Sequence, residues 1–166
     1  LIAPDSYTAG YAGAVEIFAS SSDINGYGWK KSQILSGSSF VHPSHAARFG
    51  HSVSAFDDYL IVGAPFADPV LVVDGSPTQY VGAGTAWIFK RRDGSYQLEA
   101  SVSGSEASAQ VGFSVSIVSS SLHGVYAAIG APEVTESGRS DGNVLIYQSQ
   151  SLGWALSTTL SSSFVT

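Results

Sequence analysis

No window of a dozen residues places apolar side chains at i, i+3, i+4 and i+7, and Gly, Ser and β-branched residues interrupt every stretch that begins to do so. Short apolar or alternating runs recur instead, each bounded by Gly, Pro, Asp, Asn or Ser. Residues 14–18, 29–35, 52–56, 59–63, 85–90, 96–102, 113–118, 125–130, 143–147 and 154–160 read as strands. The pattern predicts an all-β chain.

The strands are not independent of one another, because one four-part phrase returns at a period of about 60 to 70 residues. Its first part is Phe49-Gly50-His51-Ser52-Val53, repeated as Val111-Gly112-Phe113-Ser114-Val115. A wholly apolar strand follows and ends in Gly63-Ala64-Pro65, then in Gly130-Ala131-Pro132, with Leu1-Ile2-Ala3-Pro4 as a shorter first copy. The third part is Gly13 to Phe18, Gly84 to Phe89 and Gly142 to Tyr147. The fourth opens on an aromatic, at Trp29, Tyr96 and Trp154, and ends in an apolar residue followed by Ser. Four strands joined in sequence make the meander of one propeller blade. The blades fall at 1–48 (partial), 49–110 and 111–166. Strand 59–63 is apolar on both faces, and strand 85–90 places Trp87 and Phe89 on one face and Ala86 and Ile88 on the other. Both belong between two packed sheets. Gly63 and Gly130 are expected to admit a neighbouring backbone or a bulge, and Pro65 and Pro132 end the ladder by lacking an N–H.

These phrases resemble the FG-GAP repeat, the blade of integrin α-chain heads and of many large secreted proteins; Phe49-Gly50 and Gly63-Ala64-Pro65 match both halves of the name, while the next repeat has Val111-Gly112 before Gly130-Ala131-Pro132. The resemblance implies a β-propeller, and integrin members carry an Asp-rich calcium loop between the first two strands. Here that position holds only Asp57-Asp58 in one repeat and Ser119 to Gly124 in the other, and Asp23-Ile24-Asn25-Gly26 lies in a different connection. Calcium needs six to eight oxygens, so no Ca²⁺ and no other cofactor is expected. The chain contains two full repeats and three-quarters of another, whereas propellers close with 4 to 8 blades. The expectation is therefore a segment of a larger propeller, or one completed by other copies.

Composition narrows the function classes. The formal charge is −6 with 12% charged residues, and basic residues cluster only at Lys30-Lys31 and Lys90-Arg91-Arg92, which leaves no footprint for a phosphate backbone. Nucleic acid is not an expected partner, and no apolar run reaches the roughly 20 residues of a membrane helix. The absence of Cys removes thiolate catalysis and Cys-ligated metals. With 30 Ser and 18 Gly, the composition leans toward an extracellular or cell-surface protein.

Candidate sites are few. His42 and His45 flank a Pro that breaks helical spacing, and His123 stands alone; His51 with Asp57 or Asp58 imitates a base and its orienter, without a nucleophile signature such as Gly-x-Ser-x-Gly. No catalytic residue is assigned, and the chain is read as a non-enzyme. Asp57-Asp58 and Glu133 with Glu136 read as solvated turns. Trp29, Tyr96 and Trp154 are either packing residues or an exposed, sugar-stacking platform. The insert 66–81 carries Val70-Leu71-Val72-Val73, four apolar residues where a loop is expected; it is either a loop strand pairing at the blade edge or a protein contact. No N-glycosylation sequon and no Arg-Gly-Asp sequence occurs. The reading is an adhesion or scaffold module binding protein or glycan, its partners including neighbouring blades. The alternatives are a subunit of an extracellular filament or sheath joined through open blade edges, and a lectin or hydrolase with a central-channel site.

Overall fold

A computed structural model describes residues 2–3, 12–23, 26–40, 47–120, 124–136, 139–140 and 142–161. Strand dominates, and among these residues the helical structure is one 3-10 turn, Gly37–Ser39. Three antiparallel sheets follow one another along the chain. The first contains β1 (Ile2–Ala3), β2 (Ala14–Asp23) and β3 (Gly26–Ser36). The second orders β4 (Ser52–Phe56), β5 (Tyr59–Ala64), β8 (Thr85–Arg92) and β9 (Ser95–Ser103) side by side. The third repeats this with β10 (Ser114–Ser120), β11 (Gly124–Ala131), β14 (Asn143–Gln150) and β15 (Gly153–Ser161). These are the four-stranded meanders of β-propeller blades. Between the second and third strands of each full blade lies a separate two-stranded hairpin, β6 (Val70–Val73) with β7 (Ser76–Gln79), and β12 (Thr135–Glu136) with β13 (Arg139–Ser140).

Side-chain alternation divides each middle strand between two cores. Leu60, Val62 and Ala64 of β5, with Trp87 and Phe89 of β8, pack toward the first blade against Val15, Leu35 and Phe49. Ile61, Ala86 and Ile88 point the other way, onto Ile117, Ala127 and Ile129 of the third blade. Stacking hides both faces of the second blade's centre; Ile61, Val62, Ile88 and Phe89 have no exposed surface. Each such side chain contributes about 1.5–3 kcal/mol by leaving water. Rings organise the first core: Phe40 stacks on Phe49 at 5.5 Å and meets Phe89 edge-on at 5.4 Å.

The blades meet by a repeated backbone contact. Phe49 donates its N–H to the Ala12 carbonyl at 2.8 Å, and Val111 does the same to Ala83 at 2.9 Å. The apolar-glycine segment of each blade thereby lies along the Gly13 or Gly84 of the blade before it. A Cβ on Gly63 would collide with the Gly112 carbonyl oxygen, and one on Gly84 with the backbone of Val111; glycine stands where another backbone passes at contact distance.

All three blades carry a register shift at one place, after Ile17, Ile88 and Ile146 of the third strand. The fourth strand holds the extra residue, Ser32, Glu99 or Ser157. One extra residue reverses which face the side chains beyond it occupy. Tyr96 and Trp154, two residues beyond the point where pairing resumes at Leu98 and Leu156, consequently face the preceding blade.

The insert 66–81 does not pair with a blade edge, as one sequence reading had it. Asp74 and Gly75, at φ 50° and 78°, form the two-residue turn that suits a right-twisted hairpin, and β6 closes on β7.

Phe89→Ala is expected to cost about 3–5 kcal/mol, because the ring has no exposed surface and its neighbours cannot close the void. Gly63→Ala, by pushing the third blade off the second, is expected to cost about 1–3 kcal/mol. Urea unfolding followed by tryptophan fluorescence reads both.

Candidate functional site

His51 and Asp57 terminate opposite ends of β4, six residues apart along an extended strand, hence about 20 Å apart. They cannot act as base and orienter. The His51 ring lies 5.0 Å from Phe113, its counterpart in the next blade, so the two form a column across the junction. Asp57-Asp58 makes the turn between β4 and β5, where the Asp58 carbonyl accepts from the Arg91 N–H at 2.7 Å. Glu133 is exposed. His42, His45, His123 and Asn25 lie outside the described residues, as does the side chain of Glu136.

The three repeated aromatics occupy equivalent positions with unequal surroundings. Tyr96 packs on the first core, and Gln33 of the first blade grips its backbone twice: Tyr96 N–H donates to Gln33 Oε1 at 2.7 Å, and Gln33 Nε2 donates to the Tyr96 carbonyl at 2.9 Å. Trp154 meets Tyr59 of the second blade edge-on at 5.9 Å. The Lys90 ammonium sits over that same Tyr59 ring at 4.9 Å, and hydrogen bonding to the Tyr59 side chain raises the Lys90 pKa above its ordinary value. Trp29 has no blade before it among the described residues and is 74% exposed. Two of the three candidates are thus junction residues, and one is a surface residue.

The Gly63-Ala64-Pro65 and Gly130-Ala131-Pro132 segments lie at matching places, paired with Ser52 and Ser114 of the first strands. Gly50 donates to the Gly63 carbonyl at 3.1 Å, and Gly112 to that of Gly130 at 3.0 Å. The motif residues thus tie first strand to second within a blade, and the glycines leave room for the blade that follows.

The β6–β7 hairpin and the residue that follows it carry a cluster of exposed apolar side chains. Val70 is 58% and Val72 74% exposed, and Val73 and Val81 are exposed beside them; Leu71 is half-buried. Its base is clamped: Tyr80 donates to the Pro69 carbonyl at 2.9 Å, Gly82 to Asp68 Oδ1 at 2.6 Å, and Gly84 to the Ala67 carbonyl at 2.9 Å. A pocket of about 310 Å³ opens at that base, bounded by Val70, Asp68, Phe40 and Trp87. The sequence carried a signal for this hairpin, Asp74-Gly75 between apolar runs, which the reading by repeats passed over.

A model of the FG-GAP repeat family matches residues 43–82, the stretch that holds Phe49-Gly50, Gly63-Ala64-Pro65 and the hairpin. No curated protein matches the chain.

Trp154→Ala is expected to lower stability by about 2 kcal/mol by opening the junction at Tyr59, and Trp29→Ala to leave it within about 0.5 kcal/mol. Acrylamide quenching checks the geometry: the Trp29→Ala protein loses the readily quenched part of its emission, and the Trp154→Ala protein retains it.

Proposed function

We propose that this chain, which carries an FG-GAP repeat within a stack of propeller blades, is a non-catalytic scaffold module of the cell surface or extracellular space that binds a protein through the β6–β7 hairpin. The observation that carries the reading is Val72, 74% exposed on a hairpin whose base is fixed by three hydrogen bonds. Apolar side chains on an element already held in place lose little freedom on binding. The pocket beside Val70 adds a recess of about 310 Å³ for one anchoring side chain of the partner. Aliphatic side chains favour a protein over a sugar, since sugars stack on aromatic faces. Pro77 lacks an N–H, so β7 does not offer its full edge for strand addition.

The triple variant Val70→Ser, Val72→Ser, Val73→Ser removes the apolar tip without touching a blade. Its thermal midpoint is expected to stay within a few degrees of the parent's. In parallel affinity captures from the surface fraction of the source cells, a protein held by the parent and by the Trp29→Ala protein is expected to be lost from the triple variant. Identical captures from all three would overturn the reading. So would a turnover found in a hydrolase screen.

A further inference from the structure

The β6–β7 hairpin has two edges, and they are chemically unlike. Tyr80 donates to the Pro69 carbonyl at 2.9 Å, so Pro69 and Tyr80 are a bonded pair at the foot of the ladder. Bonded and non-bonded pairs alternate between antiparallel strands. The register therefore bonds Leu71 with Thr78 and Val73 with Ser76, and leaves Val70 opposite Gln79 and Val72 opposite Pro77 without bonds between them. At such a pair the backbone N–H and C=O of each strand point outward, away from the partner strand. On β7 the outward set is broken, because Pro77 has no N–H to present. On β6 it is whole: Val70 and Val72 each hold out a donor and an acceptor.

Nothing among the described residues takes these groups. The hairpin is a sheet of two strands, no backbone hydrogen bond from outside it reaches Val70 or Val72, and both residues are exposed. Strand edges that face water are ordinarily guarded by a charge, a proline or a bulge. β7 has Pro77, whereas β6 reads Val70-Leu71-Val72-Val73 and has no such guard. The pocket of about 310 Å³ borders Ala67, Asp68, Pro69 and Val70, the residues that lead into β6. An extended chain laid along β6 and continued past Val70 reaches it.

We propose that β6 accepts an added strand: an extended segment of a partner protein, apolar at alternate residues and basic at its ends, bonds to Val70 and Val72 and runs on over the pocket. This rests on the hairpin reading above and specifies how the hairpin binds. The outward N–H and C=O groups fix the path of the segment, and its alternate side chains lie beside the exposed valines. The basic ends follow from charge, since the insert 66–81 contains Asp68 and Asp74 and no Lys or Arg, in a chain of formal charge −6. A second copy is a poorer occupant. Its own four-residue β6 falls far short of the roughly 1,200 Å² that a stable interface buries, and it sets one acidic insert against another.

The probe is a fluorescent peptide, Lys-Val-Thr-Val-Thr-Val-Lys, added to the full chain. Before addition, the Val70 and Val72 amides are expected to exchange hydrogen freely while those of Leu71 and Val73 are protected. At saturation the Val70 and Val72 amides are expected to slow at least about tenfold, with Leu71 and Val73 unchanged. Val72→Pro deletes one outward donor and no bond within the hairpin. It is expected to weaken the peptide at least about tenfold by fluorescence anisotropy, with the thermal midpoint within a few degrees of the parent's. Val72→Thr keeps the N–H and is expected to weaken it less. The peptide with Glu in place of both Lys is expected to bind more weakly, and equal binding would overturn the basic ends. Absence of binding by the Lys peptide overturns strand addition, as does binding that neither slows the two amides nor responds to Val72→Pro. In either case, loss of the captured protein from the triple Ser variant would still uphold the hairpin reading. Self-association of the chain that Val72→Pro abolishes would give the edge to a second copy and would equally overturn the proposal.

Discussion

A sheet with two apolar faces must be covered twice. The middle strands of the second blade, β5 and β8, carry large side chains on both sides, and Ile61 and Ile88 depend on the third blade for burial as Val62 and Phe89 depend on the first. No single blade contains its own core, so folding and stacking are one event. Other features follow from this. The bond from each apolar-glycine segment to the preceding Ala carbonyl sets the height at which sheets meet, and the glycines let them meet closely enough to exclude water.

The parts of this arrangement that rest on period-two alternation were legible beforehand. Trp87 and Phe89 against Ala86 and Ile88 is a statement about which side of a strand each residue occupies, and the two cores divide along it. What escaped the sequence depended on partners. Glu99 and Ser157, the additional residues of the fourth strands, look like any polar strand residue, since a bulge is a property of a pairing and not of one segment. Trp29, Tyr96 and Trp154 are interchangeable as sequence positions, yet one is bare and two are packed, because burial is decided by what lies across the junction. The pairing imagined for His51 and Asp57 failed on distance alone, since six residues are short in sequence and long in a strand.

The blades and the hairpins divide the labour of the molecule. Within the stack, hydroxyls such as Ser52 and Ser54 spend their hydrogen bonds on neighbouring backbone, which fixes the frame and leaves little polar chemistry free. The segment between second and third strands is anchored in the core only near its ends, by Ala67 and Ala83 in the second blade, and the hairpin beyond them is not needed to close the sheet. In the second blade it has room for a clamped hairpin with an apolar tip. In the third blade the corresponding hairpin is only two residues a side. A rigid frame with one tolerant insertion point per repeat allows variation there at small cost to the fold.

The bulge in the fourth strand has a consequence for symmetry. Because it turns the aromatic toward the preceding sheet and away from the following one, the two broad faces of a blade are unlike: one presents a ring, the other a glycine-floored hollow. Two like faces brought together by a twofold axis would set ring against ring and hollow against hollow, with no match in shape. An isologous dimer through these surfaces is thereby disfavoured, and every contact they make is heterologous and polar in direction. Such contacts have two geometric fates: the rotation per blade closes a ring, or the stack runs on without end. A single inserted residue, repeated in each blade, weighs against stopping at a symmetric pair.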